Sequence, residues 1–402
     1  MQSLGRRGLT RLARRAYHMR SSSIMHGGFR PAITPTDQAI TATAPADRVL
    51  RVREATATDE PAWQSFLATM PYGDFLHDWG WGAVAQNDGE PQRRFILWED
   101  GEPVGVAAAH VEPLFGGLST WYVPHGPVLD LRHPRARERL QALLDQLRDA
   151  GRDARALAIR LEPRIERGSR EAAMFDGLSL RGPNGTSQVG QTQILHLDGD
   201  DAAMLATVEG PTRRKIRRAA RDGVTVDVVR DPTDLASVNR LAQLVRETER
   251  RSGAHGRGVE RIGLAWRELA SRGRAAIVEA WFGRRLMAAG MAVIIGDRSF
   301  YLFSGSSREA PGQRKHFSSY AMQWEMIRTA RRLGSRAHDL WGIEPLAAGP
   351  EHPWHGIGTF KRSFGGRSVV WAGSWDLVLR PNLYRAHRMW ARTQRAMSRP
   401  RN

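Results

Sequence analysis

The chain has 402 residues, 41% of them hydrophobic and 25% charged, which suits a globular protein too long for one ordinary core and sets two domains as the expectation. With no cysteine, it excludes disulfides, thiolate nucleophiles and Cys-based metal sites. A net charge of +18 points to a polyanionic partner such as tRNA, or to an anionic membrane face, alongside a general preference for arginine over lysine.

Residues 1–46 read as a basic, disordered extension, with contact to a membrane surface or RNA as the alternative. Seven arginines (Arg6, Arg7, Arg11, Arg14, Arg15, Arg20 and Arg30) and no acidic residue fall in the first 30 positions, with no apolar stretch that would make a secretory signal. From residue 47 the element order repeats. RRFILWEDGEPVGVAAAHVEP predicts two strands around a hairpin turn at Asp100-Gly101, and STWYVPHGPVLD a third strand. The helix RHPRARERLQALLDQLRDAG and the strand RALAIRLEP follow. A basic stretch, PTRRKIRRAARDGVTVDVV, then reads as helical, as does DLASVNRLAQLVRETERRSG.

The second copy opens with AAIVEAWFGRRLMAAGMAVIIGD, two strands turning at Phe282-Gly283. It continues with the strand SFYLFSGSS, the helix HFSSYAMQWEMIRTARRLG and the strand AHDLWGIEP. WAGSWDLVLRPNLYRAHRMWARTQRAM predicts a last strand and a basic amphipathic helix. Strand, hairpin, strand, strand, loop, helix, strand is the core order of an acetyltransferase-type fold. The expectation is an α/β (α+β) protein of two tandem acetyltransferase-like (GNAT) domains, against the alternative of one continuous sheet. The first would span 47–182, completed by 373–392, the second 183–372, with a basic tail at 393–402.

Several segments in order resemble the FemABX family of peptidoglycan interpeptide-bridge aminoacyltransferases, over roughly residues 48–390. GPTRRKIRRAARDGV is similar to the family's Thr-Arg-rich helix ending in Gly-Val. YLFSGSS with SSYAMQWEMIRTARRLG resembles its strand, loop and helix. HDLWGI resembles its Asp-x-x-Gly-Ile strand, GIGTFKRSFGG its Phe-Lys element, and WDLVLRPNLY its closing strand and turn. WYVPHGPVLD resembles a strand end of the first domain. The resemblance implies transfer of an amino acid from aminoacyl-tRNA to the stem peptide of a lipid- or nucleotide-linked precursor. No heptad hairpin lies between Thr248 and Ala275, so the chain resembles members without a coiled-coil arm. The implied protein is a cytoplasmic monomer with peripheral contact at the inner membrane face.

Aminolysis of a tRNA ester needs a deprotonated amine and a stabilised oxyanion, and no metal, redox cofactor or nucleotide hydrolysis. Only three lysines occur: Lys215, Lys315 and Lys361. By resemblance, Lys361 of Phe360-Lys361 is the first catalytic candidate, a point cation against negative charge on the carbonyl or the ribose oxygen. The alternative is a lysine solvated beside a strand end. Asp130, the second catalytic candidate, falls where the family has a carboxylate facing the acceptor, and by resemblance accepts or relays the amine's proton; the alternative is a turn or helix-cap residue. Thr212, Arg213, Arg214, Lys215 and Arg218 fall on the helix where the family binds phosphate, or else form a solvated basic face. Tyr301 and Phe303 either line the groove or belong to the core. Trp79 and Trp81 resemble the family's early Trp segment, but Ala85-Gln86 stands where the family often has a phosphate-contacting lysine. Lys315 is a phosphate contact or a surface residue.

Three other readings stand beside this one. A natural-product enzyme would keep the tRNA donor and change the acceptor. A GNAT-type acyl-CoA N-acyltransferase, or a related polysaccharide acyltransferase, would share the fold. The former wants a pyrophosphate loop that Glu309–Arg314 lacks. A non-catalytic basic binding protein is the third.

Overall fold

The computed structural model describes residues 49–397 apart from 88, 253–257 and 310–313. The basic extension, most of the loop Glu309–Arg314 and the last residues of the basic tail therefore lie outside the described residues. The first half runs β1 (Leu50–Glu54), α1 (Glu60–Thr69), α2 (Trp79–Asn87), β2 (Gln92–Glu99), β3 (Glu102–Pro113), β4 (Ser119–His125) and β5 (Val128–Leu129). It continues with α3 (Ala136–Asp153), β6 (Ala156–Pro163), α4 (Arg170–Asp176) and β7 (Arg181–Asn184). Next come β8 (Gln191–His196), α5 (Asp201–Thr207), α6 (Gly210–Arg221), β9 (Val224–Val229), α7 (Leu235–Ser252) and α8 (Gly258–Ala270). The chain closes with β10 (Ala275–Phe282), β11 (Arg285–Ile295), β12 (Arg298–Ser306), α9 (Ser318–Arg332), β13 (Ala337–Gly342), α10 (His355–Arg362), β14 (Arg367–Val370), β15 (Ser374–Val378) and α11 (Pro381–Met397).

Two mixed sheets result, and their strand orders correspond position by position. One reads β1-β2-β3-β4-β6-β15-β7, with β5 added on β3; the other reads β9-β10-β11-β12-β13-β8-β14. In each, a hairpin pairs antiparallel, a third strand joins it, and the strand after the crossover helix pairs parallel to the third. The chain thus folds as two tandem acetyltransferase-like domains. In both sheets the sixth strand comes from outside the repeated run: β15 reaches back to β6, and β8 pairs with β13.

Local sequence explains most elements. In α3, Leu140, Leu143, Leu144 and Leu147 recur at helical spacing and are fully buried, about 1.5–3 kcal/mol each in apolar burial. Along β11, Ala289, Met291, Val293 and Ile295 face the core shared with α1, α7 and α8, while Ala288 and Ala292 face the core under α9. That period of two, with both faces covered, is why the strand is apolar throughout.

Three expectations change. PTRRKIRRAARDGVTVDVV is helical only to Arg221: Gly223, at φ 89°, ends α6, and the β-branched VTVDVV pairs with β10 as an edge strand. STWYVPHGPVLD is two strands, because His125 at φ 49° turns the chain off β6 and lets Val128–Leu129 pair further along β3. The second hairpin turns at Gly283, with Phe282 still paired.

Candidate functional site

The two parallel pairs differ in one respect. In the first sheet β4 and β6 stay paired up to His125 and Pro163. In the second, β12 and β13 pair only through Arg298–Phe300 and Ala337–Asp339, after which they part. Trp341, at φ 63°, marks the divergence; a bulky residue in the left-handed region is strained, and such strain concentrates at functional sites.

Lys361, on the last turn of α10, reaches this divergence. Its Nζ donates to the Gly342 carbonyl at 2.8 Å and lies 5.7 Å from the Tyr301 ring centroid. The residue is 8% exposed, so the reading of a solvated lysine does not hold. Burial draws its pKa down to about 8, opposed by the carboxylates of Asp339 and Glu344. Tyr301 is itself buried, and burial pushes its phenol up to about 12. It therefore stays a neutral ring beside the ammonium.

Behind Lys361 lies a buried polar network that joins the two sheets. Asp339 accepts from Arg164 at 2.7 Å, from the Trp341 amide at 2.8 Å and from the Thr192 hydroxyl. Arg164, just past β6, lies over the Trp371 ring at 4.8 Å and 3.9 Å from Asp74. Asp74 is hydrogen-bonded to His125 Nδ1. Burial pushes the Asp74 carboxyl up, but His125, Arg164 and His77 outweigh it and hold the pKa below its ordinary value. His77 is drawn down to about 4 by burial, so its imidazole is neutral at pH 7. On the other side of Lys361, Glu344 pairs with Arg362 and lies 3.5 Å from His355.

The α6 residues sit beside this site in different states. Glu209, just before the helix, donates its amide to the Ser363 carbonyl at 3.1 Å, tying α6 to the end of α10. Thr212 is buried, and Arg213 donates to the carbonyls of Ala206 and Val208. Lys215 donates to the Tyr320 hydroxyl at 3.0 Å and lies 4.5 Å above its ring. Tyr320 packs edge-on against Phe360 at 5.0 Å. Arg218 lies 3.4 Å from Asp222 and over Phe317, while Arg214 is exposed. Lys361, Phe360 and Tyr301 are thus brought together, with Lys215 joined through Tyr320.

Asp130 and Trp79 lie elsewhere. Asp130 accepts from the Arg132 amide at 2.9 Å, as a turn residue does, and lines an open cavity of about 290 Å³ with Ser65, Glu102 and Arg139. Lys361 is not among the residues lining that cavity. Trp79 packs edge-on against Trp63 at 5.6 Å, with the Arg94 guanidinium 4.0 Å over its ring. Ala85 is buried, Phe303 is partly buried against the core, and Lys315 is exposed. Sequence reading missed Asp74, His125, Arg164 and Asp339. The available clue was Asp339 itself: a carboxylate inside a buried strand needs a buried cation.

Residues 278–392 match the FemAB family model. The chain is 26% identical over 357 residues to a UDP-N-acetylmuramoylpentapeptide-lysine N(6)-alanyltransferase of Weissella viridescens, covering 84% of this chain and 98% of that protein. It is 22% identical over 401 residues to a lipid II:glycine glycyltransferase of Staphylococcus aureus, covering 80% of this chain and 91% of the relative. Its fold is shared with the crystal structure of FemX at a TM-score of 0.75, 20% identity, and coverage of 84% and 99% of the two chains. Residues 278–392 thus carry FemAB family sequence, and the fold of FemX extends across both domains of the chain.

Proposed function

We propose that this aminoacyltransferase moves an amino acid from an aminoacyl-tRNA to an amine on the stem peptide of a peptidoglycan precursor. The relatives' names support the acceptor class. The observation that carries the chemistry is the Lys361 ammonium, buried where β12 and β13 part. There it meets the negative charge that develops when the amine attacks the ester carbonyl, in surroundings of low dielectric that strengthen the interaction. The C–N bond forms, the C–O bond to the ribose breaks, and the amine's proton ends on the departing ribose oxygen. Phe360 and Tyr301 shield the ammonium from water. The exposed Arg214 and the α6 face receive phosphates, and Trp79 contacts the acceptor. Asp130, in its cavity with Ser65, Glu102 and Arg139, contacts the acceptor and takes or relays the proton of its amine. We read residues 47–182 with 373–392 as one domain and 183–372 as the other, although β7 (Arg181–Asn184), which pairs with β15 in the first sheet, straddles that boundary. We place the chain in the cytoplasm as a monomer.

A second reading changes the acceptor to a natural product, favoured by buried Ala85 where the family often has a lysine. One experiment separates the readings. Purified protein is incubated with labelled aminoacyl-tRNAs and either lipid II or its nucleotide-linked precursor. The expected result is label on the precursor, lost in Lys361→Ala and when the tRNA is digested beforehand. Tight binding of coenzyme A with indifference to charged tRNA would overturn it.

A further inference from the structure

We propose that the hairpin tip between β3 and β4, together with α11, docks on the surface of an anionic phospholipid bilayer. At the tip, the Leu114 amide donates to the Leu118 carbonyl at 2.7 Å, and Gly116 and Gly117 have φ of 71° and 69°. This tight turn leaves Phe115 98% exposed, a whole aromatic ring with no core to enter.

Helix α11 presents a matching face. Tyr384 holds it to the body, buried and donating to Asp376 at 2.6 Å, with Arg388 beside it at 2.9 Å. Away from Tyr384, Leu383 is 46%, Met389 65% and Trp390 40% exposed. Leu383 and Trp390 are seven residues apart and so share a line along the helix, with Met389 one step aside. The helix sequence contains Arg385, Arg388, Arg392 and Arg395 and no acidic residue.

The two features adjoin. Glu112, at the base of the tip, acts electrostatically on His387, whose ring lies 6.0 Å from that of Trp390. The same edge carries exposed Arg152 and Arg155, with Asp153 between them; Arg380 donates to the Arg152 carbonyl and Ser119 to that of Ala154. Cations alone would serve RNA equally well. Aliphatic Leu383 and Met389 have no stacking to offer a base, whereas in a bilayer they enter the acyl boundary while arginines reach the phosphates. An apolar crest beside the exposed Arg152, Arg155 and Arg385 therefore selects anionic lipid over RNA.

The test is co-sedimentation of the full-length protein with vesicles of phosphatidylglycerol and phosphatidylcholine, or of phosphatidylcholine alone. It needs no substrate, so its outcome is independent of the transfer reaction. The wild type should bind the anionic vesicles preferentially. Phe115→Ser and Trp390→Ser should each weaken partition about tenfold, and Arg385→Glu by a similar factor of about ten. Transfer to a water-soluble nucleotide-linked precursor should stay unchanged in all three. Absence of binding to anionic vesicles, variants that bind as well as wild type, or variants that lose affinity for tRNA and keep it for vesicles would each overturn the proposal.

Discussion

Replacing Lys361 with methionine removes the ammonium and keeps the length of the side chain. Lowering the lysine pKa from 10.5 to about 8 means that the site disfavours ammonium over neutral amine by about 3 kcal/mol. Methionine removes that burden, but the Gly342 carbonyl loses its donor, at a cost of about 1–3 kcal/mol. The two nearly cancel, so stability at pH 7 should change by less than about 2 kcal/mol. Activity should not be spared: loss of one preorganised charge at the reacting carbonyl costs about 10²–10³ in rate. The wild-type pH profile gives a second readout. With a pKa of about 8, the lysine is about 90% protonated at pH 7 and about 10% at pH 9. Single-turnover transfer, corrected for uncatalysed ester hydrolysis, should fall above pH 8 in the wild type, and this falling limb should vanish in Lys361→Met. For stability the sign is opposite. The unfolded chain binds the extra proton between pH 8 and 10.5, so the wild type gains stability as pH rises through that window and the variant does not. A Lys361→Met enzyme within threefold of wild type, or one that keeps the alkaline limb, would mean that the ammonium does not act at the reacting carbonyl.

The buried histidines should set acid sensitivity. His77 and His338 are both drawn from 6.5 to about 4 by burial, so the unfolded chain binds more protons between those values and stability falls as pH drops through that window. Urea unfolding at pH 5 should show about 2 kcal/mol less stability per histidine than at pH 7; equal midpoints and slopes at the two values would contradict this. Asp339→Asn leaves the buried Arg164 with only Asp74, 3.9 Å away, and should cost about 3–5 kcal/mol in urea unfolding at pH 7. A loss under about 1 kcal/mol would mean that the network contributes little. Gly305→Ala would put a Cβ 2.4 Å from the Leu244 carbonyl oxygen on α7, so unfolding should show a loss of about 1–3 kcal/mol or more, and an unchanged midpoint would show that α7 can shift.

Local order can be read from neighbouring residues alone. The period-two apolar runs of β2, β3, β10 and β11, the leucine spacing of α3 and the repeated succession of elements made two acetyltransferase-like domains legible, because each depends on residues adjacent in the chain. Phe360-Lys361 and the arginine-rich α6 were likewise readable as short motifs. Which of these residues meet depends on long-range packing. Asp339 and Arg164 are separated by 175 positions and Asp74 and His125 by 51, yet they form one buried network, since charges removed from water are stable only beside each other. The parting of β12 from β13, which opens a place for Lys361 that β4 and β6 deny their own domain, follows from strand register and not from any local pattern. Asp130 and Lys361 were separate candidates in the sequence, and Lys361 does not line the Asp130 cavity: chemistry of residue type is local, while distance is set by packing.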